Sequence, residues 1–336
     1  MQFGICGYYD DLAEYLAWLR LAEALGYDLV GYGDTQNLIP DLYVALTAMA
    51  LETTQIKLCS TVTNPVTRHP AVAASAMAAV QKLSDGRTYC GIGTGDSALL
   101  NIGERPATVT EIEEYCLAFR GLCAGEEVSW RGREFKLEWS AAPVPLWIAA
   151  EGPRMMHLAG RIADGVIFGN GISEDVIRDN VRRVSEGARS AGRDPSEIEL
   201  WFFAKPYFAE SEEQAWREVA WTLAASANHA FRFSLEGKFV PEEHREGLRG
   251  LQREYASAEH NKKDSGAHNA SLVAKYGLSE FLGRRFLIAG SSDRIVERIR
   301  EIAGHGATNL ICTAIFEDQT GYTRRLADEV VSAFRD

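Results

Sequence analysis

The 336-residue sequence predicts a closed (β/α)8 barrel, a TIM barrel with insertions, on two observations. Eight short apolar runs alternate with amphipathic helical stretches over most of the chain, as parallel strands joined by helical crossovers require. The length also exceeds the ~250 residues typical of such a barrel, which leaves room for a large insertion. An open doubly wound sheet is the alternative that the same alternation allows. The chain reads as one domain over residues 1–336.

Each element has a local reason. "QFGICG" (2–7) precedes a helix over 12–26 that Gly26 closes, glycine being favoured just past a helix end. "DLVGYGD" (28–34) leads to a helix over 41–54. "IKLCSTV" (56–62) leads to a helix over 70–86, with Pro70 in the first turn where its missing N–H costs nothing. "RTYCGIG" (87–93) precedes a helix over 107–125. "VSWRGREFKLEW" reads as a hairpin turning at Arg131 and Gly132, and interrupts the rhythm before "PLWIAA" (145–150). A short helix, "GVIFGNG" (165–171), a helix over 173–191, "IELWFFAKPYF" (198–208) and a helix over 211–227 follow. After a long polar stretch, 228–285, without strand signal, "DRIVERIREIAGHG" feeds the eighth strand (308–316) and a closing helix. Such an excursion is expected to be a lid, a dimer element or disorder.

The net charge of −12 argues against a nucleic-acid partner, which needs a basic surface to displace counterions, and leaves room for a local basic pocket. No apolar run reaches the ~20 residues that span a bilayer, and the first residues lack a signal-peptide pattern. A soluble, cytoplasmic protein is expected, with no membrane partner. The six cysteines are scattered without a Cys-x-x-Cys pair and read as small reduced core residues; no metal site is expected. The tryptophans form no regular platform and read as core.

"CGIGTGDSA" (90–98) resembles a dinucleotide-binding turn, but Gly91, Gly93 and Gly95 have the wrong spacing and follow the fourth strand rather than the first. On a barrel the same residues read two ways. Gly91 and Gly93 leave room for a flat ligand while Gly95 turns the chain, placing Asp96 at the catalytic rim; or the stretch is only a turn with Asp96 capping the next helix. Other strand ends favour a cofactor cleft. Asp34 and Thr35 follow strand two, "STVTNPVTRHPAV" strand three, "AAEGPRMM" strand five and "FGNGIS" strand six, all rich in glycine, hydroxyls and amides.

With these motifs the chain resembles the luciferase-like superfamily of flavin- and deazaflavin-dependent oxidoreductases, nearest the methylenetetrahydromethanopterin reductase branch. The resemblance implies a non-prolyl cis peptide at Thr61-Val62 whose bulge presses the back face of the cofactor ring, with Thr63 and Asn64 beside it and Gly93 and Gly95 across from it. It implies a catalytic carboxylate at Asp96, a second acid at Asp34, and Thr35 where several relatives carry a histidine. A hydroxyl cannot replace imidazole as an acid or base near neutral pH. Gly152, Arg154, Gly169, Asn170 and Gly171 match the loops holding the cofactor side chain and phosphate.

The expected function is hydride transfer between deazaflavin coenzyme F(420) and a small organic substrate. The alternatives are an FMN-dependent monooxygenase served by a separate flavin reductase, and a non-catalytic flavin-binding protein. Relatives imply a homodimer. His69 reads as a local cap, and His157 and His305 as structural. His229, His244, His260 and His268 fit no metal spacing and read as mobile surface residues, though 260–268 has the composition to fold over the mouth.

Overall fold

The computed structural model describes residues 1–139, 142–256, 259, 264 and 266–335. Its strands are β1 (Gln2–Gly7), β2 (Leu29–Tyr32), β3 (Lys57–Ser60), β4 (Thr88–Ile92), β5 (Val128–Trp130), β6 (Arg133–Phe135), β7 (Leu146–Ala149), β8 (Gly165–Phe168), β9 (Glu199–Phe208), β10 (Leu287–Gly290) and β11 (Asn309–Ala314). Eight of them pair in parallel in the order β1, β2, β3, β4, β7, β8, β9, β11, and β11 returns to β1. The sheet therefore closes into the expected (β/α)8 barrel, and the doubly wound alternative is excluded. β5 and β6 form the expected hairpin outside it, with Arg131 and Gly132 at positive φ in the turn.

The crossovers carry α1 (Leu12–Ala24), α2 (Leu42–Glu52), α3 (Pro70–Leu83), α4 (Ser97–Leu100), α5 (Val109–Cys123), α6 (Pro153–Ile162) and α7 (Glu174–Ser190). Their starts follow capping chemistry. The Asp11 and Asp41 carboxylates accept N–H bonds in the first turns of α1 and α2, and Thr108 with Glu111 forms a reciprocal capping box on α5. His69 Nδ1 accepts from Ala71 N–H at the start of α3, the capping role expected of it.

The barrel interior is plugged rather than hollow. Cys6, Leu29, Cys59, Trp147, Ile167, Trp201 and Ile311 fill it, with Trp147 and Trp201 stacked at 5.4 Å. Interior side chains close off the cylinder and leave its C-terminal rim as the place for a ligand. All six cysteines are buried and unpaired.

The second half of the chain departs from expectation in two ways. The helix expected over 211–227 is broken at Val219 into α8 (Glu212–Glu218) and α9 (Ala220–Phe231), and α9 runs on into the insertion. The insertion itself, read from sequence as irregular, contains α10 (Glu242–Glu254), α11 (His268–Lys275) and α12 (Ser279–Phe286), and leads directly into β10. Leu223, Phe231, Leu248, Leu251, Leu272 and Leu282 build a separate apolar cluster there. β10 pairs with the second half of β9, whose first half lies between β8 and β11. α13 (Ser292–His305) and α14 (Gln319–Glu329) complete the ring.

Candidate active site

The floor of the site is the chain leaving β3. The Thr61-Val62 peptide is cis, at the position the family resemblance marks. Thr63 ties this segment to β4, its N–H donating to Gly91 O and its carbonyl accepting from Gly93 N–H, both at 2.9 Å. A Cβ on Gly93 would lie 3.0 Å from Val62 Cγ2, so the glycine lets β4 lie flush against the bulge. Gly91 has a different reason from the one its sequence suggests. A Cβ there would meet the Ser60 carbonyl oxygen at 2.2 Å, so packing of β3 on β4 demands it, not a ligand. Gly95 is at φ +99 and serves the turn.

Asn64 Oδ1 accepts from Val66 and Thr67 N–H, while its buried Nδ2 has no partner among the described residues. An amide donor left open beside the bulge is the kind of group a bound ring carbonyl would satisfy. Asp34 is buried; Thr63 Oγ1 donates to its Oδ2 at 2.6 Å, and Arg68 Nη1 lies 3.2 Å from Oδ2 and 3.4 Å from Oδ1. Both of its oxygens are occupied, so Asp34 fixes the orientation of Thr63 and of the bulge. Thr35 pairs its hydroxyl with that of Ser97 at 3.0 Å.

The capping role expected as one alternative for Asp96 is not observed. Asp96 stands at the N-cap of α4, yet its side chain makes no capping bond. The carboxylate instead receives Arg232 Nη1 on Oδ1 and His229 Nδ1 at 2.5 Å on Oδ2. His229 Nε2 lies 2.8 Å from Glu151 Oε1, so one imidazole bridges carboxylates from the ends of β4 and β7. His229 and Arg232 come from α9 and its C-cap, so the insertion is latched to the barrel mouth by charge.

These contacts set the protonation states. The Glu151 charge, with help from Asp96, outweighs desolvation and pushes His229 up to about 10. Burial alone would raise Asp96, but the His229 and Arg232 partners hold it well below the usual carboxylate range, and His229 likewise keeps Glu151 below its ordinary value. The cluster is thus fully ionised at neutral pH. Lys205, on β9, differs. Burial brings it down to about 8 against the pull of Glu151, and it has no hydrogen-bond or ion-pair partner among the described residues.

The remaining expected residues divide. Arg154 is exposed on α6 and unpaired among the described residues; it lines a cavity of about 300 Å³ with Pro153, His157, Arg183 and Glu186. Space within 4 Å of the position a Gly152 Cβ would take is empty. Asn170 is buried and exchanges amide bonds with Asn180 at 3.0 and 2.9 Å, Gly171 packs under Arg285, and a Cβ on Gly169 would lie 2.6 Å from Glu151 Oε1. The side chain of Asn170 therefore turns away from any ligand, and this loop shapes the wall through its glycines.

Glu151, Lys205, His229 and Arg232 were missed by sequence reasoning. Glu151 had a signal, standing in "AAEGP" at a strand end. His229 was expected on the mobile surface, and the structure corrects this, because a helix rather than a loose segment carries it. Of the other insertion histidines, His244 stacks on Phe281 and His268 Nε2 bonds Glu254 O, while His260 lies outside the described residues.

Comparison with known proteins identifies the family of the chain. A family model described as luciferase-like monooxygenase matches residues 2–309. The chain is 30% identical over 315 residues to 5,10-methylenetetrahydromethanopterin reductase of Methanolobus tindarius, covering 90% of each chain. It is 26% identical to an F(420)-dependent glucose-6-phosphate dehydrogenase of Beutenbergia cavernae, covering 95% of this chain and 93% of that one. Among solved structures, the coenzyme F(420)-dependent tetrahydromethanopterin reductase of Methanopyrus kandleri superposes with a TM-score of 0.76 at 25% identity, covering 99% of both chains.

Proposed function

Because the chain belongs to the luciferase-like monooxygenase family, an enzyme family of oxidoreductases, we propose that it transfers a hydride between deazaflavin coenzyme F(420) and a small organic substrate. The observation that carries this reading is the close packing of Val62 on Gly93 at the C-terminal rim of the barrel, next to the charged cluster of Asp96, Glu151 and His229. Two of the three relatives above are named for F(420), which favours it over FMN. The cofactor would supply the redox chemistry. The chain's own work is then to hold the ring on Val62, to bind the side-chain phosphate with Arg154 and the α6 N-terminus, and to present charge to the substrate. Asp96, Glu151 and His229 fix the electrostatics over the ring. Lys205, unpartnered and titrating near neutrality, is the group suited to exchange a proton with the substrate.

Val44 and Leu51 on α2 and Val72 on α3 are 59%, 68% and 59% exposed. This apolar face supports a homodimer, and a monomeric mass by light scattering would remove that proposal. Six buried free cysteines support a reducing, cytoplasmic setting. No described helix is long and apolar enough to cross a membrane.

The reading is tested by absorbance titration with F(420) and with FMN in wild type and Gly93→Val. F(420) is expected to bind more tightly than FMN, and the variant to weaken F(420) binding by about tenfold or more, because valine methyls would push the Val62 bulge into the ring position. Preferential FMN binding would overturn the cofactor assignment, and equal affinity in the variant would overturn the ring position.

A further inference from the structure

Beside the mouth, a second cavity of about 540 Å³ opens between the chain leaving α9 and one face of α10. Arg245, Arg249 and Gln252 fall four and three residues apart and so share that face. Arg232 lines the same cavity from the other side, together with the apolar Phe233 and Leu235. In a chain of net charge −12, three guanidinium groups around one pocket are a local exception; Arg232 pairs with Asp96, Arg245 pairs with Glu242, Glu236 lies within the lining, and Arg249 is left as the unpaired cation among the described residues.

Two donors here are buried with no acceptor among the described residues, Arg232 Nε and Gln252 Nε2, and Arg249 has no ion-pair or hydrogen-bond partner among them. The guanidinium of Arg249 is the donor free to face the cavity, and an oxyanion with several acceptor positions is the group that best pairs with it. The aromatic and aliphatic wall adds a place for an apolar body. Arg232 joins the pocket to the reaction centre, since its Nη1 holds Asp96.

We propose that this pocket is a subsite for an organic anion, a carboxylate or phosphate borne on an apolar body, and that it receives the charged end of the substrate whose reacting end lies over the ring. The assignment of that end to substrate rests on the hydride-transfer reading above; the anion site itself does not. Arg232 then has two faces, one ordering the carboxylate at the mouth and one facing the anion.

The test is calorimetric titration of phenyl phosphate into the cofactor-free protein, with benzyl alcohol as the neutral control. Phenyl phosphate is expected to bind saturably, more weakly as salt is added, and about tenfold or more weakly in Arg249→Ala. That variant changes an exposed helix residue, and its fold is checked by circular dichroism. Absence of saturable binding, equal binding by benzyl alcohol, or unchanged affinity in Arg249→Ala would overturn the anion site. Displacement of bound phenyl phosphate by F(420) would assign the pocket to the cofactor and overturn its assignment to substrate. Because the titration needs no turnover, its failure leaves the redox reading standing, and failure of F(420) to bind leaves the anion site standing.

Discussion

His229 sits between two carboxylates and next to a third charge, Arg232, and its protonation decides whether that chain of charges is balanced. The folded pKa is raised from 6.5 to about 10. The contribution to stability is therefore complete below about pH 6.5 and is lost as the pH rises through the folded value. Its side chain is 46% exposed, so solvent screens part of the effect. The thermal midpoint of wild type is expected to exceed that of His229→Ala at pH 6 and to converge on it toward pH 10; a gap independent of pH would show that the histidine acts only by packing. Asp96→Asn is expected to leave F(420) affinity near wild type and to lower turnover by about tenfold or more, since the amide cannot balance His229 and Arg232. Unchanged turnover would remove Asp96 from the site. The place of Asp96 at a strand end was legible because Gly95 marks a turn just after the fourth apolar run. The partner of Asp96 was not, because His229 lies 133 residues away and nothing in the local pattern of α9 distinguishes a histidine facing the mouth from one facing solvent.

Among the elements, α9 links the insertion to the site. Its apolar side packs Leu223 and Phe231 into the insertion cluster, and its last turn and C-cap deliver His229 and Arg232 to Asp96. Phe231 is 1% exposed, so Phe231→Ala is expected to cost about 3–5 kcal/mol in chemical denaturation. Hydrogen exchange should then rise in α9 and α10 before the barrel strands, and a uniform rise across the chain would contradict a separate cluster. The barrel strands were readable because each is a short apolar run bounded by turn residues. β10 was not, being four residues that follow α12 directly, with no turn residue between Phe286 and Leu287. α10 was hidden for the opposite reason, since "EEHREGLRGLQRE" buries little beyond Leu248, Gly250 and Leu251 and its charged majority reads as solvated coil.

At the scale of the whole molecule, closure of eight strands around stacked Trp147 and Trp201 leaves one rim for chemistry, and the insertion brings its own cations to that rim. The α/β architecture was legible from alternation and length, and the closure that decides against a doubly wound sheet is seen only in the pairing of β11 with β1. The electrostatics were not legible, because they arise where distant segments meet. The most direct check of the central claim is isotopic. With a deuterated substrate as hydride donor and oxidised F(420) bound, the account predicts that deuterium appears on the reduced cofactor without exchange with water and without consumption of O2. Label lost to solvent, or turnover that requires O2, would contradict it.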